Sequence, residues 1–203
     1  MRNFVCAWGR DTMTQVREGG RSVYVPTKLF MTRGVGKHRE KLNSFEMALR
    51  AAGIAHFNLV RVSSIYPPSC KILTRERGLE LLEPGQIVHV VLAESATNEP
   101  RRLMASSIGV AIPKDPKQFG YLSEVHNFGM TAEKAGEYAE DLAAQMFATV
   151  VGVEFDPDKS WNERKEIWRI SDHFLKTLNI TQTALGDKDG LWTTSIAAVL
   201  LIP

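Results

Sequence analysis

Two adjacent serines, Ser63 and Ser64, are the residues of this sequence whose type and spacing could do chemistry. They follow a strand-like apolar run and precede Pro67-Pro68, which cannot continue a hydrogen-bonded strand. A serine hydroxyl beside a peptide carbonyl can attack it when the fold holds the two groups within reach. Serine and proline also make ordinary turns, and composition alone favours that interpretation.

Other patterns for nucleophilic or metal chemistry are missing. The sequence has no G-x-S-x-G elbow and no H-E-x-x-H pair. Its five histidines lie singly along the chain, and we interpret each as a surface or core residue rather than a ligand. Cys6 and Cys70 belong to no C-x-x-C or Cys/His cluster, so we expect no metal site and no disulfide framework.

The triplet Ser-Ser-Ile occurs a second time, at Ser106-Ser107-Ile108, so the triplet alone does not identify a reactive pair. The second copy lies inside an apolar run that ends at Pro113. Alternation along such a strand would bury or pair its hydroxyls. The first copy lies at a strand end, and we therefore favour Ser63-Ser64.

The blocks of sequence around the first pair are more specific than the pair itself. In chain order they are Phe45-Glu46-x-Ala48-Leu49-x-Ala51-Ala52-Gly53-Ile54, Asn58-Leu59-Val60-x-Val62-Ser63-Ser64-Ile65-x-Pro67-Pro68, Pro84-Gly85, Asn98-Glu99-Pro100, Ala105-Ser106-Ser107-Ile108-Gly109-Val110-Ala111-Ile112-Pro113-Lys114-Asp115, Gly120-Tyr121-Leu122-Ser123-Glu124 and Ala135-Gly136-Glu137-Tyr138-Ala139. This string strongly resembles the pyruvoyl-dependent arginine decarboxylases. The resemblance is close over residues 28–150 and looser beyond them, and it does not extend to residues 1–22.

The resemblance implies that the chain cuts itself between Ser63 and Ser64. Ser64 Oγ attacks the Ser63 carbonyl, the amide becomes an ester, and elimination across Ser64 releases Ser63 as a carboxylate. The dehydroalanine left at position 64 hydrolyses to a pyruvoyl group and ammonia. We therefore expect two chains, residues 1–63 and 64–203, and a covalent pyruvoyl cofactor derived from Ser64 that accepts electrons during decarboxylation.

Three further residues match functional positions of the family. Glu124 matches the acid that protonates the substrate carbon, a role that a raised pKa would suit, although by itself it is typical of an exposed acid at a strand end. Asn58 matches an amide near the pyruvoyl group that can polarise a carbonyl, although it could be a turn residue. Glu46 matches a carboxylate that faces the substrate guanidinium. It could instead complete a capping box that begins at Asn43.

Hydrophobic periodicity predicts the elements that must position these residues. We expect a strand over residues 23–31 closed by a turn at Gly34-Val35-Gly36, and a helix over residues 43–52 ended by Gly53. Strands are predicted at residues 57–62 and 119–126, and a long helix at 131–150 with Thr131 as its N-cap. Two hairpins are predicted, one joining residues 86–93 to 103–112 and one joining 166–180 to 191–202, although residues 163–170 could instead begin as a helix.

These elements indicate an α+β domain, rich in strands, with about two helices covering a sheet. The resemblance implies a four-layer αββα sandwich, self-cleaved into two chains and assembled as a trimer or dimer of trimers with sites between neighbouring subunits. We divide the chain into an N-terminal extension over residues 1–22 and a decarboxylase domain over residues 23–203.

Composition excludes several other classes of protein. The chain has 203 residues, 44% of them hydrophobic, and a net charge of +2, an ordinary globular profile. It has no apolar run of ~20 residues and no signal-peptide pattern, so we expect a cytoplasmic protein without a membrane partner. Residues 1–41 hold nine Lys/Arg and three acids, but lack the interleaved aromatics of single-strand binders, and we expect no nucleic-acid partner.

The sequence therefore predicts an enzyme that converts L-arginine to agmatine and carbon dioxide, in polyamine supply or acid tolerance. The same pyruvoyl chemistry could instead act on histidine, aspartate or ornithine. Two functions without catalysis are also compatible with the sequence: an unprocessed assembly subunit, and an anion-binding protein that uses the basic arm. A single intact band at 22.7 kDa would favour a function without catalysis.

Overall fold

The computed structural model describes residues 24–152 and 174–203. The predicted extension over residues 1–22 and the first part of the strand predicted from residue 166 lie outside the described residues. In chain order the elements are β1 (Lys28–His38), α1 (Lys41–Ala52), β2 (Asn58–Arg61), β3 (Ile65–Tyr66), β4 (Lys71–Leu73), α2 (Arg75–Leu79), β5 (Ile87–Thr97), β6 (Leu103–Pro113), β7 (Gly120–Phe128), α3 (Ala132–Val151), β8 (Phe174–Leu185) and β9 (Trp192–Ile202).

The strands form two sheets, in the orders β2-β5-β9-β1-β4 and β3-β7-β6-β8. In the first sheet β9 pairs antiparallel with both β1 and β5, while β2 joins β5 and β4 joins β1 in parallel. The second sheet is antiparallel. β2 and β3 are edge strands of different sheets, yet only residues 62–64 separate them, so the chain crosses from one sheet to the other at the serine pair.

The two sheets pack face to face, with a helix on the outer face of each. Along β9, Ile196 and Ala198 lie in the cluster shared with α1, whereas Ala197 and Val199 lie in the cluster between the sheets. Both faces of β9 are buried, which explains its nearly continuous apolar sequence. α3 covers β6, β7 and β8. The α+β prediction is confirmed, and the layer order is compatible with a sandwich.

The turn predicted at Gly34-Val35-Gly36 is wrong. β1 runs through both glycines to His38 and pairs with β9 along its whole length. A Cβ on Gly34 would clash with the Ala48 carbonyl oxygen of α1, and one on Gly36 would clash with the Ser44 carbonyl oxygen. The glycines therefore let the helix approach the strand closely. In the sequence, two nearby glycines of this kind are easily mistaken for a turn.

Both predicted hairpins are also wrong, although their strands exist. β5 pairs with β9 and β2, whereas the next strand, β6, pairs with β7 and β8 in the other sheet. β8 and β9 are divided between the sheets in the same way. Strands buried on both faces carry no alternation that would reveal which neighbour they pair with. The short elements β4 and α2 were not predicted, because three and five residues show no period.

The two longer helices lie where their periodicity places them. Thr131 caps α3, and its side chain accepts a hydrogen bond from the Lys134 amide, as predicted. Gly53 ends α1 with φ at 79°, a left-handed conformation that glycine adopts readily. α1 begins at Lys41, before the predicted start, with Glu40 as its N-cap residue. In the described part of the chain no helix has the length and apolar character needed to cross a membrane.

Candidate active site

The bond between Ser63 and Ser64 lies in the crossover between the two sheets. The Val62 amide donates to the Val90 carbonyl at 3.0 Å, which extends the pairing of β2 with β5 by one residue. The Leu122 amide of β7 donates to the Ser64 carbonyl at 2.9 Å. The chain is therefore held by the first sheet just before the bond and by the second sheet just after it.

The carbonyl of Ser63 has a hydrogen-bond donor of its own. The Ile65 amide donates to its oxygen at 3.0 Å, an i to i+2 contact that bends the chain around Ser64. Ser63 is exposed and Ser64 is half-buried. A donor at this position stabilises the negative charge that would develop on the oxygen during attack on the carbonyl carbon. The Ser63 carbonyl oxygen thus already accepts a hydrogen bond from the backbone amide two residues further along the chain.

Glu124 lies on β7, two residues beyond Leu122, and so points from the same face towards the first sheet. Ile108 of β6 is the cross-strand partner of Glu124, and both Ile108 and Leu122 belong to the apolar cluster between the sheets. Burial raises the pKa of Glu124, and the nearby charges of His126 and Arg61 lower that pKa in part. The Cα of Glu124 lies about 7 Å along β7 from that of Leu122, whose amide binds the Ser64 carbonyl.

Three charged or titratable residues that sequence reasoning did not select surround Glu124. Arg61, two positions before Ser63, forms an ion pair with Glu94 of β5 at 2.8 Å. His126 contacts the backbone of Glu94 through its Nδ1 atom. His126 could have been selected from the sequence, because side chains two residues apart on a strand lie on the same face and His126 is two residues beyond Glu124. The contacts with β5 depend on how the sheets pack, and no local pattern encodes them.

Asn58 lies at the opposite end of β2 from the serine pair. Its side-chain amide donates to the Gly85 carbonyl at 2.6 Å and ties the loop before β5 to the start of β2. Ser63 lies five positions further along the chain, a span of about 17 Å when the chain is extended. Within one chain the structure does not bring Asn58 to Ser64.

Glu46 lies on α1, and its carboxylate accepts a hydrogen bond from Arg50 at 2.9 Å. The capping-box interpretation is wrong, because the N-cap residue is Glu40 and it makes no side-chain cap. Arg50 is one helical turn away, so the observed pair is an ordinary surface ion pair that nevertheless presents a carboxylate to a guanidinium. α1 covers the outer face of the first sheet, whereas Glu124 faces the space between the sheets.

The second serine pair is fully buried in the middle of β6. Ser106 Oγ bonds with Ser195 Oγ at 2.9 Å, and Ser107 Oγ bonds with Thr181 Oγ1 at 2.6 Å. This confirms that strand context buries and pairs these hydroxyls.

A cleft of about 340 Å³ opens beside Ser63. Its walls are mainly apolar and include Val62, Ile65, Pro67 and Leu201. The volume is within the range of small-molecule sites. Two larger clefts, of about 590 and 640 Å³, are formed by other parts of the described chain and contain none of the predicted site residues.

Comparison with known proteins identifies the family of this chain. The model of the pyruvoyl-dependent arginine decarboxylase family matches residues 28–203, beginning at the first residue of β1. A probable pyruvoyl-dependent arginine decarboxylase of Chloroherpeton thalassium is 59% identical over 180 residues, which cover 89% of this chain and 99% of that protein. The corresponding protein of Chlorobium limicola is 56% identical over 180 residues with the same coverage.

A relative from another organism carries the same activity in its name. Pyruvoyl-dependent arginine decarboxylase 2 of Methanosarcina mazei is 54% identical over 178 residues, 88% of this chain and 97% of that protein. These names share one class of protein, the decarboxylases that depend on a pyruvoyl group. Within that class, this chain belongs to the pyruvoyl-dependent arginine decarboxylase family.

Proposed function

We propose that this protein processes itself at Ser63-Ser64 and then converts L-arginine to agmatine and carbon dioxide. The observation that carries the proposal is the crossover, in which each side of one Ser-Ser bond is hydrogen-bonded to a different sheet. The names of relatives that match nearly the whole chain support arginine as the substrate.

The residues at the crossover supply what self-processing needs. Ser64 Oγ forms an ester bond to the Ser63 carbonyl carbon as the C–N bond breaks, and the Ile65 amide stabilises the oxyanion. Loss of the Cα proton of Ser64 then expels Ser63 as a carboxylate. Water replaces the nitrogen at position 64, and ammonia leaves. Both new chain ends stay attached to a sheet throughout, because the Val62 and Leu122 contacts lie outside the broken bond.

The residues around Ser64 fit a pyruvoyl group. That group supplies a keto carbonyl, conjugated with its amide carbonyl, which accepts the electron pair left as carbon dioxide departs. The Leu122 amide already donates to the Ser64 carbonyl and would stabilise negative charge on it. Glu124, with its raised pKa, donates a proton to the substrate carbon.

We propose that the active unit is a trimer or a dimer of trimers with sites between subunits. Asn58 and Glu46 do not reach Ser64 of their own chain, so these residues would serve the Ser64 of a neighbour. The two edge strands beside the crossover carry exposed apolar side chains, Val60 on β2 and Ile65 on β3, which suit burial against a second copy. The cytoplasmic location stays a prediction from the sequence.

Two measurements on purified protein test the proposal. A denaturing gel should show two fragments, and carbon dioxide release should be fastest with arginine among arginine, ornithine, histidine and aspartate. A chain that stays intact at 22.7 kDa after long incubation would favour an assembly subunit without catalysis. Faster release from another amino acid would keep the chemistry and replace the substrate.

A further inference from the structure

His126 lies two residues beyond Glu124 on the same face of β7, and it is exposed where Glu124 is half-buried. Its Nδ1 atom is 3.1 Å from the backbone nitrogen of Glu94 and 2.8 Å from the backbone oxygen of the same residue. The pairing of β2 with β5 ends at Val90, so the imidazole contacts the part of β5 that β2 leaves uncovered.

The two backbone partners suit two protonation states of the ring. A neutral imidazole with a bare Nδ1 accepts from the Glu94 amide, and a protonated imidazole donates from Nδ1 to the Glu94 carbonyl. The ring can therefore gain or lose a proton while one hydrogen bond to β5 is kept. Histidine is the side chain suited to such exchange near neutral pH.

Decarboxylation creates a need for this exchange. Each carbon dioxide released from an amino acid takes up one proton at the substrate carbon, and Glu124 must be protonated again before the next turnover. Leu122 and Ile108 flank Glu124 with apolar surface, which restricts its contact with water. Along β7 the next side chain on the same face is His126, with the two Cα atoms about 7 Å apart.

We propose that His126 relays protons from solvent to Glu124, an inference that rests on the proposed function. Solvent protonates the imidazole, the imidazolium passes a proton to the Glu124 carboxylate, and the neutral ring returns to accept another. Arg61 from β2 and Glu94 from β5 are the other charged groups at this place. Their mutual ion pair at 2.8 Å limits the repulsion that Arg61 exerts on a protonated ring.

A pair of variants separates the relay from a structural role. In His126→Gln the amide can still bond the Glu94 backbone but does not titrate, whereas His126→Ala loses both properties. We expect kcat for arginine to fall roughly tenfold or more in both variants with little change in KM. Added imidazole should raise kcat of His126→Ala in proportion to its concentration and leave the wild type unchanged.

His38→Gln is the matched control, because the Nδ1 of His38 also bonds a backbone amide, that of Glu40, away from Glu124. It should keep the wild-type kcat. Full activity in His126→Gln, or a loss in His126→Ala that imidazole does not restore, would overturn the relay. A processed wild type that releases no carbon dioxide from arginine would instead overturn the proposed function, and the relay with it.

Discussion

The two Ser-Ser-Ile segments have the same sequence and opposite surroundings. Ser63-Ser64 lies at the crossover between the sheets. There the Ser63 carbonyl accepts a hydrogen bond from one backbone amide, and the Ser64 carbonyl accepts a hydrogen bond from another. Ser106-Ser107 lies in the centre of β6, paired with β7 on one side and β8 on the other. β7 contacts both segments, so the two copies lie on opposite sides of one strand.

This difference shows that the backbone around a serine decides what its hydroxyl can do. An attack within β6 would have to break strand pairing on two sides and the bond between Ser107 and Thr181. At the crossover the chain can bend around Ser64 without disturbing either sheet. In the proposed self-cleavage, the two serine pairs therefore differ in whether strand pairing holds the backbone, and not in residue type.

The largest expected effect is on self-cleavage. Ser64→Ala should leave the chain uncut because no hydroxyl remains for the acyl shift, and Ser107→Ala should still give two fragments. A denaturing gel distinguishes these outcomes. Mass spectrometry should find the larger fragment one ammonia lighter than simple hydrolysis would leave it. An uncut Ser107→Ala variant that folds normally would contradict the assignment of the crossover pair.

The next effect concerns the acid beside the crossover. Glu124→Gln keeps the shape of the side chain but cannot donate a proton, so kcat should fall by roughly 10² to 10⁴. Self-cleavage should continue, and KM for arginine should change little. Steady-state kinetics on processed enzyme give both values. A variant with unchanged kcat would show that another group protonates the substrate carbon.

A smaller effect is expected at Glu46. A role in arginine binding and a role in a surface ion pair predict different results when this residue is replaced. If Glu46 binds the substrate guanidinium in a desolvated site, Glu46→Gln should weaken arginine binding by a few kcal/mol. Arg50→Gln is the control, because it breaks the same ion pair and keeps the carboxylate. If both variants lower the free energy of unfolding equally, by about 0.5 kcal/mol, and neither changes KM, then Glu46 takes part only in the surface ion pair.

The dependence of turnover on pH should report the environment of Glu124. Burial holds the pKa of Glu124 above its ordinary value of 4.5, so kcat should be lost as pH rises through that raised pKa. Arg61 lowers the pKa of Glu124, and Arg61→Leu should therefore move the alkaline limb of the kcat profile to higher pH. If the alkaline limb moved to lower pH instead, the loss of kcat would not report the pKa of Glu124.

The smallest effect is on folding stability, and it compares the two serine pairs directly. In the uncut Ser64→Ala background, Ser107→Ala should lower the free energy of unfolding by about 1 kcal/mol, because it removes the hydrogen bond to Thr181. Ser63→Ala, at an exposed position, should change it by less than about 0.5 kcal/mol. Denaturant titration measures both, and a reversed order would contradict the assigned environments.

Much of the fold could be predicted where a local period carries the information. α3 shows a clear helical period and a threonine cap, and β9 ends in an apolar run over residues 196–202. Sheet membership could not be predicted, because strands buried on both faces offer no alternation that assigns them to one sheet. The same holds for Gly34, where a close helix and a turn demand the same residue.

The candidate site also contains residues that could be predicted from the sequence and contacts that could not. The serine pair and Glu124 were selected from the family resemblance, and the structure places Glu124 on β7 and hydrogen-bonds Ser64 to the same strand. The contacts of Arg61, Glu94 and His126 could not be predicted, because they join three strands from two sheets. Asn58 and Glu46 stay predictions, since one chain does not bring them to Ser64.

The strand order of the five-stranded sheet has a consequence for how the protein can be made. Of its strands, β1 and β2 precede Ser64, whereas β4, β5 and β9 follow it, and β1 pairs with β9 along all eleven of its residues. Cleavage would therefore leave two polypeptides interleaved in one sheet. In denatured precursor, the sheet of one subunit would re-form within a single chain, in a step whose rate does not depend on concentration. In denatured mature protein, two polypeptides would have to meet before that sheet could form, so the same step would become second-order.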